Sequence, residues 1–412
     1  MIFLSFAFVG IQCLLGLCEI YAEFRNRKES EKRNYDFREV FSNLAIYNLS
    51  IFRLFLVVPT FYLYRYLFTV SKPWHLTWSN SEILNWCIAF VIADFIFYWF
   101  HVLSHRWNLL WGAHLVHHQP EDYNLSIGGR DSIFGRSMLL LMGTPVALTG
   151  IPPTTYFTAA FFGIAYMGWT HTRLIGKMGV LEYFLSTPYH HKIHHYKDIA
   201  RLGGSKNFGG VFIIWDKIFG TFYEEPAILE YEYGVSRIPE IYSPFEAQTF
   251  FYRHLFAQFF KLPFKDRLKL LFSHYSPEPV PLIPRESRAS TYGYNDWFFC
   301  FVLLALTYYC TSLLTIPLMF RLAQGDVDLN LCIKLIVAAV ATLLGLFELS
   351  KILEGKGIKS RAGVTLILVV TAVTLTLAFP SPQIDDDHKR GIVEFILRSR
   401  VFLALGSLIA LS

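Results

Sequence analysis

The sequence DFIFYWFHVLSHRWNLLWGAHLVHH, residues 94–118, decides the fold because an apolar segment runs directly into a set of histidines. Three histidine clusters with similar spacing occur in the chain: His101-x-x-x-His105, His114-x-x-His117-His118 and His191-x-x-His194-His195. Spacings of three and four residues place side chains on one face of a helix. Each cluster can therefore present two or three imidazoles to one point. Eight imidazoles exceed what one ion holds, so the sequence predicts two metal ions side by side.

Two further histidines lie close to these clusters in sequence. His171, within Trp169-Thr-His-Thr172, is a ninth candidate ligand. His190 is a tenth candidate, but its neighbour His191 fits the repeated spacing better. The remaining histidines have no histidine nearby and are interpreted as ordinary surface residues: His75, His254, His274 and His388.

The composition is that of a membrane protein. Of 412 residues, 53% are hydrophobic and 17% are charged, whereas soluble domains have about 25% charged residues. The net charge of +5 includes no long basic block, which argues against a nucleic-acid partner. The cysteines form no CxxC pair, so neither a disulfide framework nor a zinc ribbon is indicated.

Long apolar runs predict several membrane spans, since crossing the hydrocarbon takes about 20 apolar residues. The runs are 1–22, 42–70, 83–101, 297–322, 328–349, 362–380 and 391–412. The first is expected to be a retained anchor, because it lacks a basic start and a cleavage site. A further apolar stretch, 137–170, is interrupted by Gly150-Ile-Pro-Pro153, which predicts two short helices folding back as a hairpin.

Basic residues predict the orientation. Loop 71–81 carries only Lys72, whereas loop 23–40 carries Arg25, Arg27, Lys28, Lys32, Arg33 and Arg38. Loop 23–40 is therefore expected on the cytosolic side and loop 71–81 on the lumenal side. Counting spans onward places regions 102–136 and 171–293, with all three clusters, on the cytosolic face.

These patterns predict an all-α integral membrane protein, a multi-span helical bundle with a cytosol-facing, histidine-rich di-iron site. Four segments are expected: 1–81 as N-terminal anchor spans, 82–223 as the catalytic domain, 224–293 as a proline-rich cytosolic loop, and 294–412 as C-terminal spans.

The donor set favours iron. A histidine-only dinuclear site at a membrane face suits oxygen activation by iron, while zinc in the same site would be redox-silent. No HExxH motif is present, which argues against a zinc protease of that type. Asp94, seven residues before His101 and two turns deeper, is expected to accept the free N–H of a ligating imidazole.

At these residues the chain resembles the fatty acid hydroxylase/sterol desaturase superfamily of membrane di-iron oxygenases, which is defined by three histidine boxes. The segments that carry the resemblance are Trp111-Gly-Ala-His-Leu-Val-His-His118, Glu121-Asp-Tyr-Asn-Leu-Ser126, Trp169-Thr-His-Thr172, Leu185-Ser-Thr-Pro-Tyr-His-His-Lys-Ile-His-His195 and Ile213-Ile-Trp-Asp-Lys-Ile-Phe-Gly-Thr-Phe222. The stretch EDYNLS, 121–126, indicates the branch that cleaves ether lipids. Two positions depart from the usual pattern, because Arg106 and Arg173 stand where the family has glutamate.

The resemblance implies a metal site of two irons with no catalytic residue beyond the ligands. Those ligands would be His101, His105, His114, His117, His118, His171, His191, His194 and His195. It also implies tetrahydrobiopterin as cofactor, dioxygen and a bilayer-embedded alkylglycerol or lyso-ether lipid as partners, and an endoplasmic reticulum membrane location. Hydroxylation of the ether-linked carbon would give a hemiacetal that collapses to fatty aldehyde and glycerol.

Three alternatives stay open at this point. Glu121, Asp122 and Asn124 either bind the pterin through carboxylate hydrogen bonds or form a structural turn after the second box. The enzyme is either the ether-lipid monooxygenase or a sterol or fatty-acyl hydroxylase fed by a haem electron donor. A non-catalytic metal-binding or transport protein would need polar residues inside several spans, which most spans lack.

Overall fold

The fold is taken from a computed structural model of the 412-residue chain. It describes residues 15–16, 18–22, 25, 36–76, 80–198, 202–224, 232–236, 238, 241–274, 300, 303–304, 307 and 329–354. The chain divides into two compact units, one of residues 1–241 with 246–285 and one of residues 242–245 with 286–412. All the predicted site residues lie in the first unit.

The predicted all-helical fold is confirmed for the described residues, which contain two isolated β-bridges and no longer strand. The α-helices are α1 Phe37–Leu49, α2 Leu54–Val70, α3 Glu82–Ser104, α4 Asn108–His118, α5 Gly135–Met142, α6 Pro153–Met167, α7 Pro188–His194, α8 Ile214–Phe219, α9 Pro244–Lys261, α10 Phe264–Leu271 and α11 Leu329–Leu353. Short 3₁₀ helices are Ser50–Arg53, Lys72–Trp74, Leu125–Gly129, Thr144–Thr149, Gly168–Thr170 and Gly179–Tyr183.

Helix α3 is the central element of the first unit. The Ser81 hydroxyl caps its start by accepting the Leu84 N–H at 3.3 Å. Its small residues Ala89 and Ala93 pack against α6, where Tyr156 and Ala159 are fully buried. Among the described residues, α3 is the one helix long and apolar enough to cross a bilayer.

The predicted break in the stretch 137–170 is confirmed. Helix α5 ends at Met142 and α6 begins at Pro153, where proline is favoured because its missing N–H has no helical acceptor. Gly150 between them has φ +90°, a conformation that favours glycine. The segments that precede and follow this stretch meet at the histidines, since Nε2 of His171 lies 3.1 Å from Nε2 of His117.

The predicted loop 224–293 contains two helices, α9 and α10. The prolines that suggested a loop include Pro244, which instead occupies the first position of α9. Helix α9 covers α4, and Phe250 and Phe251 pack with Leu115 and Val116 in one apolar cluster. A Cβ on Gly112 would lie 2.7 Å from Tyr252, so glycine permits this close packing.

The predicted span 42–70 is divided between α1 and α2 by the 3₁₀ helix Ser50–Arg53. The predicted run 328–349 corresponds to α11, which lies in the second unit, where the Ser350 hydroxyl bonds that of Ser243 at 2.6 Å. Most or all of the predicted runs 1–22, 297–322, 362–380 and 391–412 lie outside the described residues. The number of spans and their orientation remain predictions.

Candidate metal centre

The structure brings the nine predicted histidines together in two groups. The first group consists of His101, His105, His114, His118 and His194, and the second of His117, His171, His191 and His195. In each group the candidate ligand nitrogens all lie within 4.8 Å of one another. Helices α3, α4 and α7 and the turn at His171 therefore converge as the spacing predicted.

Each histidine pair is divided between the two groups. His117 belongs to the second group and His118 to the first, while His194 belongs to the first and His195 to the second. Successive residues of a helix point about 100° apart, which follows from 3.6 residues per turn. The two adjacent histidines of each H-x-x-H-H box thus contribute one ligand to each group. The groups adjoin at His118 and His195, whose stacked rings lie 4.2 Å apart.

In the first group the nitrogens form a chain of close contacts. Nε2 of His114 lies 2.9 Å from Nε2 of His101 and 3.0 Å from Nε2 of His118, which lies 3.1 Å from Nε2 of His194. Nε2 of His105 is buried and has no hydrogen-bond partner.

In the second group the contacts close a ring. Nε2 of His171 lies 3.1 Å from that of His117 and 2.8 Å from that of His191. Nε2 of His195 lies 3.1 Å from that of His117 and 3.2 Å from that of His191.

Backbone carbonyls fix the tautomer of three ligands. Nδ1 lies 2.8 Å from the Phe208 oxygen in His101, 2.8 Å from the Lys206 oxygen in His194, and 3.0 Å from the Arg130 oxygen in His117. A carbonyl only accepts, so each Nδ1 carries the hydrogen and each Nε2 presents a lone pair to its group.

These lone pairs leave contacts that no hydrogen can fill. In the first group three contacts join four nitrogens, but only His114 and His118 can carry a hydrogen on Nε2. At least one contact therefore has no hydrogen between its two nitrogens, and a cation bound by the Nε2 lone pairs would account for the close approach. Metal–nitrogen bonds of about 2.1 Å place neighbouring ligand nitrogens about 3 Å apart, as found here. The residues present fit a metal ion in each group.

Burial keeps these imidazoles neutral. Burial, opposed by the Asp131 charge and the Arg130 carbonyl, lowers the pKa of His117 to about 4. Burial also lowers the pKa of His194 to about 3. The pKa of His118 and of His191 is well below the ordinary value, first through burial and then through neighbouring imidazoles. Neutral imidazole is the form that binds metals.

Asp94 does not accept an imidazole N–H, so that prediction is wrong. Its carboxylate accepts the backbone N–H groups of Val211 at 2.8 Å and Phe212 at 3.1 Å, and the Trp215 indole N–H at 2.9 Å. The loop 206–212 lies against α3 near Asp94. The Val211 and Phe212 N–H groups of this loop are bonded to the Asp94 carboxylate and not to a helix or strand carbonyl. Asp94 thus supports the metal centre indirectly, by fixing the loop that carries the Phe208 carbonyl.

Asp216 fixes the same loop from the other side. It accepts the N–H groups of Phe208 at 2.8 Å and Gly209 at 2.7 Å and the Thr221 hydroxyl at 2.6 Å. Asn207 adopts a positive φ of 57°, and its side-chain amide donates to the Tyr223 carbonyl at 2.9 Å. The loop is therefore held rigidly at the point where it contacts two ligands.

Arg130 fixes the chain beside the second group. Its buried guanidinium donates to the Val116 carbonyl at 2.7 Å, to Asn43 Oδ1 at 2.8 Å and to Gln119 Oε1 at 2.7 Å. These bonds tie the end of α4 to α1 while the Arg130 carbonyl accepts from His117. Nothing in the sequence pattern pointed to Arg130, Phe208 or Lys206, because main-chain acceptors leave no residue-type signal.

The three predicted pterin residues lie beside the second group, in hydrogen bonds that shape a turn. Asn124 Oδ1 accepts the Ser126 N–H at 3.0 Å and caps the helix Leu125–Gly129. Asp122 Oδ2 accepts the Asp36 N–H at 2.5 Å, and Glu121 lies 3.9 Å from Lys197. These contacts agree with the structural alternative, and the pterin role of these residues remains a prediction.

An aromatic and cationic stack continues from this turn. The Tyr123 ring lies 5.4 Å from His195 and 4.7 Å from the Tyr233 ring, over which the Arg173 guanidinium is placed at 4.7 Å. Arg173, the departure from the family pattern, thus packs outside the ligand shell. His190 lies outside both groups, with Nδ1 3.4 Å from the Thr187 N–H at the start of α7.

Comparisons with known proteins point to the same part of the chain. Residues 86–221 match the sequence model of the family described as fatty acid hydroxylase. The chain is 38% identical to "Alkylglycerol monooxygenase" of Homo sapiens over 187 residues, covering 45% of this chain and 39% of that protein. It is 32% identical to that of Xenopus tropicalis over 231 residues, covering 53% and 49%.

A bacterial relative is more distant. The chain is 30% identical over 179 residues to "Ornithine lipid hydroxylase OlsE" of Rhizobium tropici, covering 41% of this chain and 52% of that protein. No solved structure matches significantly. The chain thus spans about half or less of the length of these three relatives. Residues 86–221 thus match the fatty acid hydroxylase model, and the chain is similar in sequence to part of the alkylglycerol monooxygenases.

Proposed function

We propose that the chain is a membrane lipid monooxygenase with one iron ion in each histidine group. The observation that carries this proposal is the convergence of nine buried or half-buried histidines into two adjoining groups, inside the segment that matches the fatty acid hydroxylase model. When bound, a pair of irons supplies the capacity to activate dioxygen. The surrounding residues bind the ions, orient the imidazoles through main-chain carbonyls and exclude water.

The specific reaction we propose is hydroxylation of the ether-linked carbon of 1-O-alkylglycerols, with tetrahydrobiopterin as the reductant. The hemiacetal product collapses to a fatty aldehyde and glycerol. Support comes from the printed names of the relatives and from the EDYNLS stretch, 121–126. Oxygen lone pairs stabilise the electron-poor carbon that forms next to the ether oxygen, so this C–H bond is the weak one in the substrate.

A narrow apolar cleft between α3, α5 and α6 supports a substrate with an alkyl chain. It is lined mainly by apolar residues such as Phe97, Leu140, Ala160, Gly163 and Met167, and also by Asp94 and Tyr156. The Phe97 ring lies 5.4 Å from the His101 ring, so the cleft reaches the first group. Its free volume is only about 20 Å³, which means that entry of a chain requires α6 to move away from α3.

A second candidate is a sterol or fatty-acyl hydroxylase of the same superfamily that receives electrons from a haem protein. The similarity to a bacterial protein named as a lipid hydroxylase favours this alternative. The location we propose for either enzyme is the endoplasmic reticulum membrane, with the metal centre facing the cytosol.

Turnover in isolated membranes separates these candidates. The full chain is expressed in membranes and supplied with labelled 1-O-alkylglycerol, with and without tetrahydrobiopterin. Aldehyde release that depends on the pterin is the expected result. Turnover only with a haem electron donor would favour the second candidate, and zinc-loaded protein that converts no lipid would favour a metal-binding protein without catalysis.

A further inference from the structure

Two stretches of the first unit, 180–184 and 218–219, expose large apolar side chains next to each other. Each of these side chains is between 42% and 71% exposed. Single exposed apolar residues are ordinary, but a group of them marks a surface that meets a partner or a membrane. The group, called the apolar surface below, consists of Val180, Leu181, Tyr183, Phe184, Ile218 and Phe219.

Hydrogen bonds to the main chain join the two stretches. The Ile213 N–H, just before α8, donates to the Phe184 carbonyl at 3.0 Å. The Lys217 amine donates to the Tyr183 carbonyl at 2.9 Å. The apolar residues of both stretches therefore belong to one continuous patch.

Contacts with α3 give the depth of this surface. The Phe219 ring lies 5.0 Å from the Trp99 ring and 6.2 Å from the Phe95 ring. Ala93 is the midpoint of α3, so these contacts lie within about 9 Å of the midpoint at 1.5 Å per residue. Hydrocarbon extends about 15 Å to either side of the centre of a bilayer. A bilayer that α3 crosses therefore has hydrocarbon at the level of these contacts.

The main chain beneath the surface meets the requirement that hydrocarbon imposes. Irregular backbone is tolerated at that depth only where protein groups satisfy it, because no water is present. In the paired stretches 184–186 and 211–213, every N–H group donates within the protein. The acceptors are the carbonyls of Leu181, Phe184 and Val211 and the carboxylate of Asp94. Asp94 thus supplies the acceptors that a helix or strand would otherwise provide.

Charged side chains beside the surface are also bonded within the protein. The Lys217 amine donates to the Glu182 carbonyl at 3.3 Å as well as to that of Tyr183. The Glu182 carboxylate accepts the Met178 N–H at 2.9 Å. Aromatic rings together with a lysine whose amine reaches back to polar groups are typical of protein in contact with lipid.

We propose that the apolar surface is embedded in the bilayer and covered by lipid acyl chains, beside α3. The sequence predicted that the whole region 171–293 lies on the cytosolic face, and the proposal departs from that prediction at these two stretches. It depends neither on the metal ions nor on the reaction that the enzyme performs. Phe90, which lines the apolar cleft, lies 6.0 Å from the Phe212 ring, so lipid on this surface is close to the cleft.

Fluorescence quenching of the full chain in lipid nanodiscs tests this contact. The six natural cysteines are replaced by serine, and bimane is attached to one new cysteine at a time. The test positions are Ile218→Cys and Val180→Cys. Val91→Cys, at an exposed position near the middle of α3, is the reference for lipid, and Lys265→Cys, exposed on α10, is the reference for water. The quenchers are phospholipids with a nitroxide midway along the acyl chain and, separately, aqueous iodide.

We expect the ratio of lipid quenching to iodide quenching at both test positions to match that at Val91. This ratio should exceed that at Lys265 by about threefold or more, because an anion is excluded from hydrocarbon. Iodide quenching like that at Lys265 would mean that the surface faces water and would overturn the proposal. Quenching by neither agent would mean that protein covers the surface, as a second copy of the chain would, and would overturn it too. Absence of lipid quenching at Val91 would remove the depth argument and with it the proposal.

Discussion

At the residue scale, the function depends on which nitrogen each imidazole presents. His101, His117 and His194 each use Nδ1 for a backbone carbonyl, which leaves Nε2 for the metal. An outer hydrogen bond of this kind fixes the ring orientation and commonly changes metal affinity by about 10–100-fold. The carbonyls come from two separate stretches of the chain. The Arg130 carbonyl orients His117 of the second group, and the loop 206–212 orients His101 and His194 of the first.

Replacing one member of a histidine pair should affect one group first. We expect His117→Ala to lower the iron content from two ions per chain to about one and to reduce turnover by roughly 100-fold or more, because the second group has only four ligands. His194→Ala should likewise abolish turnover while the protein stays inserted. Metal analysis of purified protein and aldehyde release measure this. His75→Ala, outside both groups, is the control, and a fully active His117→Ala enzyme would contradict the ligand assignment.

Asp216→Asn tests the support of the first group. The amide has one acceptor oxygen where the carboxylate used two, so at least one of the N–H groups of Phe208 and Gly209 loses its partner. We expect a loss of about 1–3 kcal/mol in the free energy of unfolding and preferential loss of one metal ion. Denaturation and metal titration measure both. Asp198→Asn, at an exposed aspartate, is the control; equal loss of both metal ions would argue against separate support.

At the scale of elements, α3 and α6 line the narrow cleft beside the first group. The face of α6 toward the cleft carries Ala159, Ala160 and Gly163 at helical spacing. A Cβ on Gly163 would find its nearest neighbours at 3.9 Å, so a larger side chain can enter the cleft without a backbone clash. Small residues on this face thus keep bulk out of the cleft, which we propose an alkyl chain enters once the cleft widens.

Gly163→Leu should shorten the alkyl chains that the enzyme accepts. The leucine side chain would occupy the cleft, so we expect kcat/KM for long-chain alkylglycerols to fall about tenfold or more relative to short-chain ones. A series of substrates of increasing chain length measures the ratio. Gly176→Leu, at an open position, is the control. A uniform fall for all chain lengths would show that the cleft does not hold the chain.

At the scale of the whole molecule, the two metal ions that we propose would join parts of the chain that are distant in sequence. The first group links α3, α4 and α7, and the second links α4, α7 and the turn at His171. Ligands that bind only the folded state stabilise it by mass action. Without the ions, at least one close contact between the nitrogens of the first group has no hydrogen to fill it.

Chelation should therefore lower the thermal stability of the protein markedly. We expect the Tm of detergent-solubilised protein to fall by about 5 °C or more after iron removal and to recover on adding ferrous iron. Thermal unfolding with and without a chelator measures the shift. The same treatment of a variant with His117 and His118 both replaced by alanine should have little effect, and an unchanged wild-type Tm would contradict metal binding.

Orientation in the membrane gives a second prediction at this scale. We expect a cysteine at Lys265 to react with a membrane-impermeant thiol reagent in sealed microsomes, and a cysteine at Asn80 to react only after the membrane is opened. Both positions are exposed, and the exposed Cys18 and Cys87 are first replaced by serine. The basic residues of loop 23–40 are the reason for this expectation. The reverse labelling pattern would place the metal centre in the lumen.

The sequence by itself determined the local structure around the site. Helical spacing put His101 with His105, and His114 with His118, on shared faces, and Gly150 with Pro152 and Pro153 set the break between α5 and α6. Periodicity and turn chemistry act over a few residues, so these features could be predicted without the fold.

Only the tertiary structure decided which ligands form each group and what holds them. The division of His117 from His118 depends on how α4 meets α7, and the true partners of Asp94 are more than a hundred residues away. The cover of α9 over α4 likewise arises from packing of residues distant in sequence. Such contacts depend on the path of the chain through space, and a single sequence holds no direct record of that path.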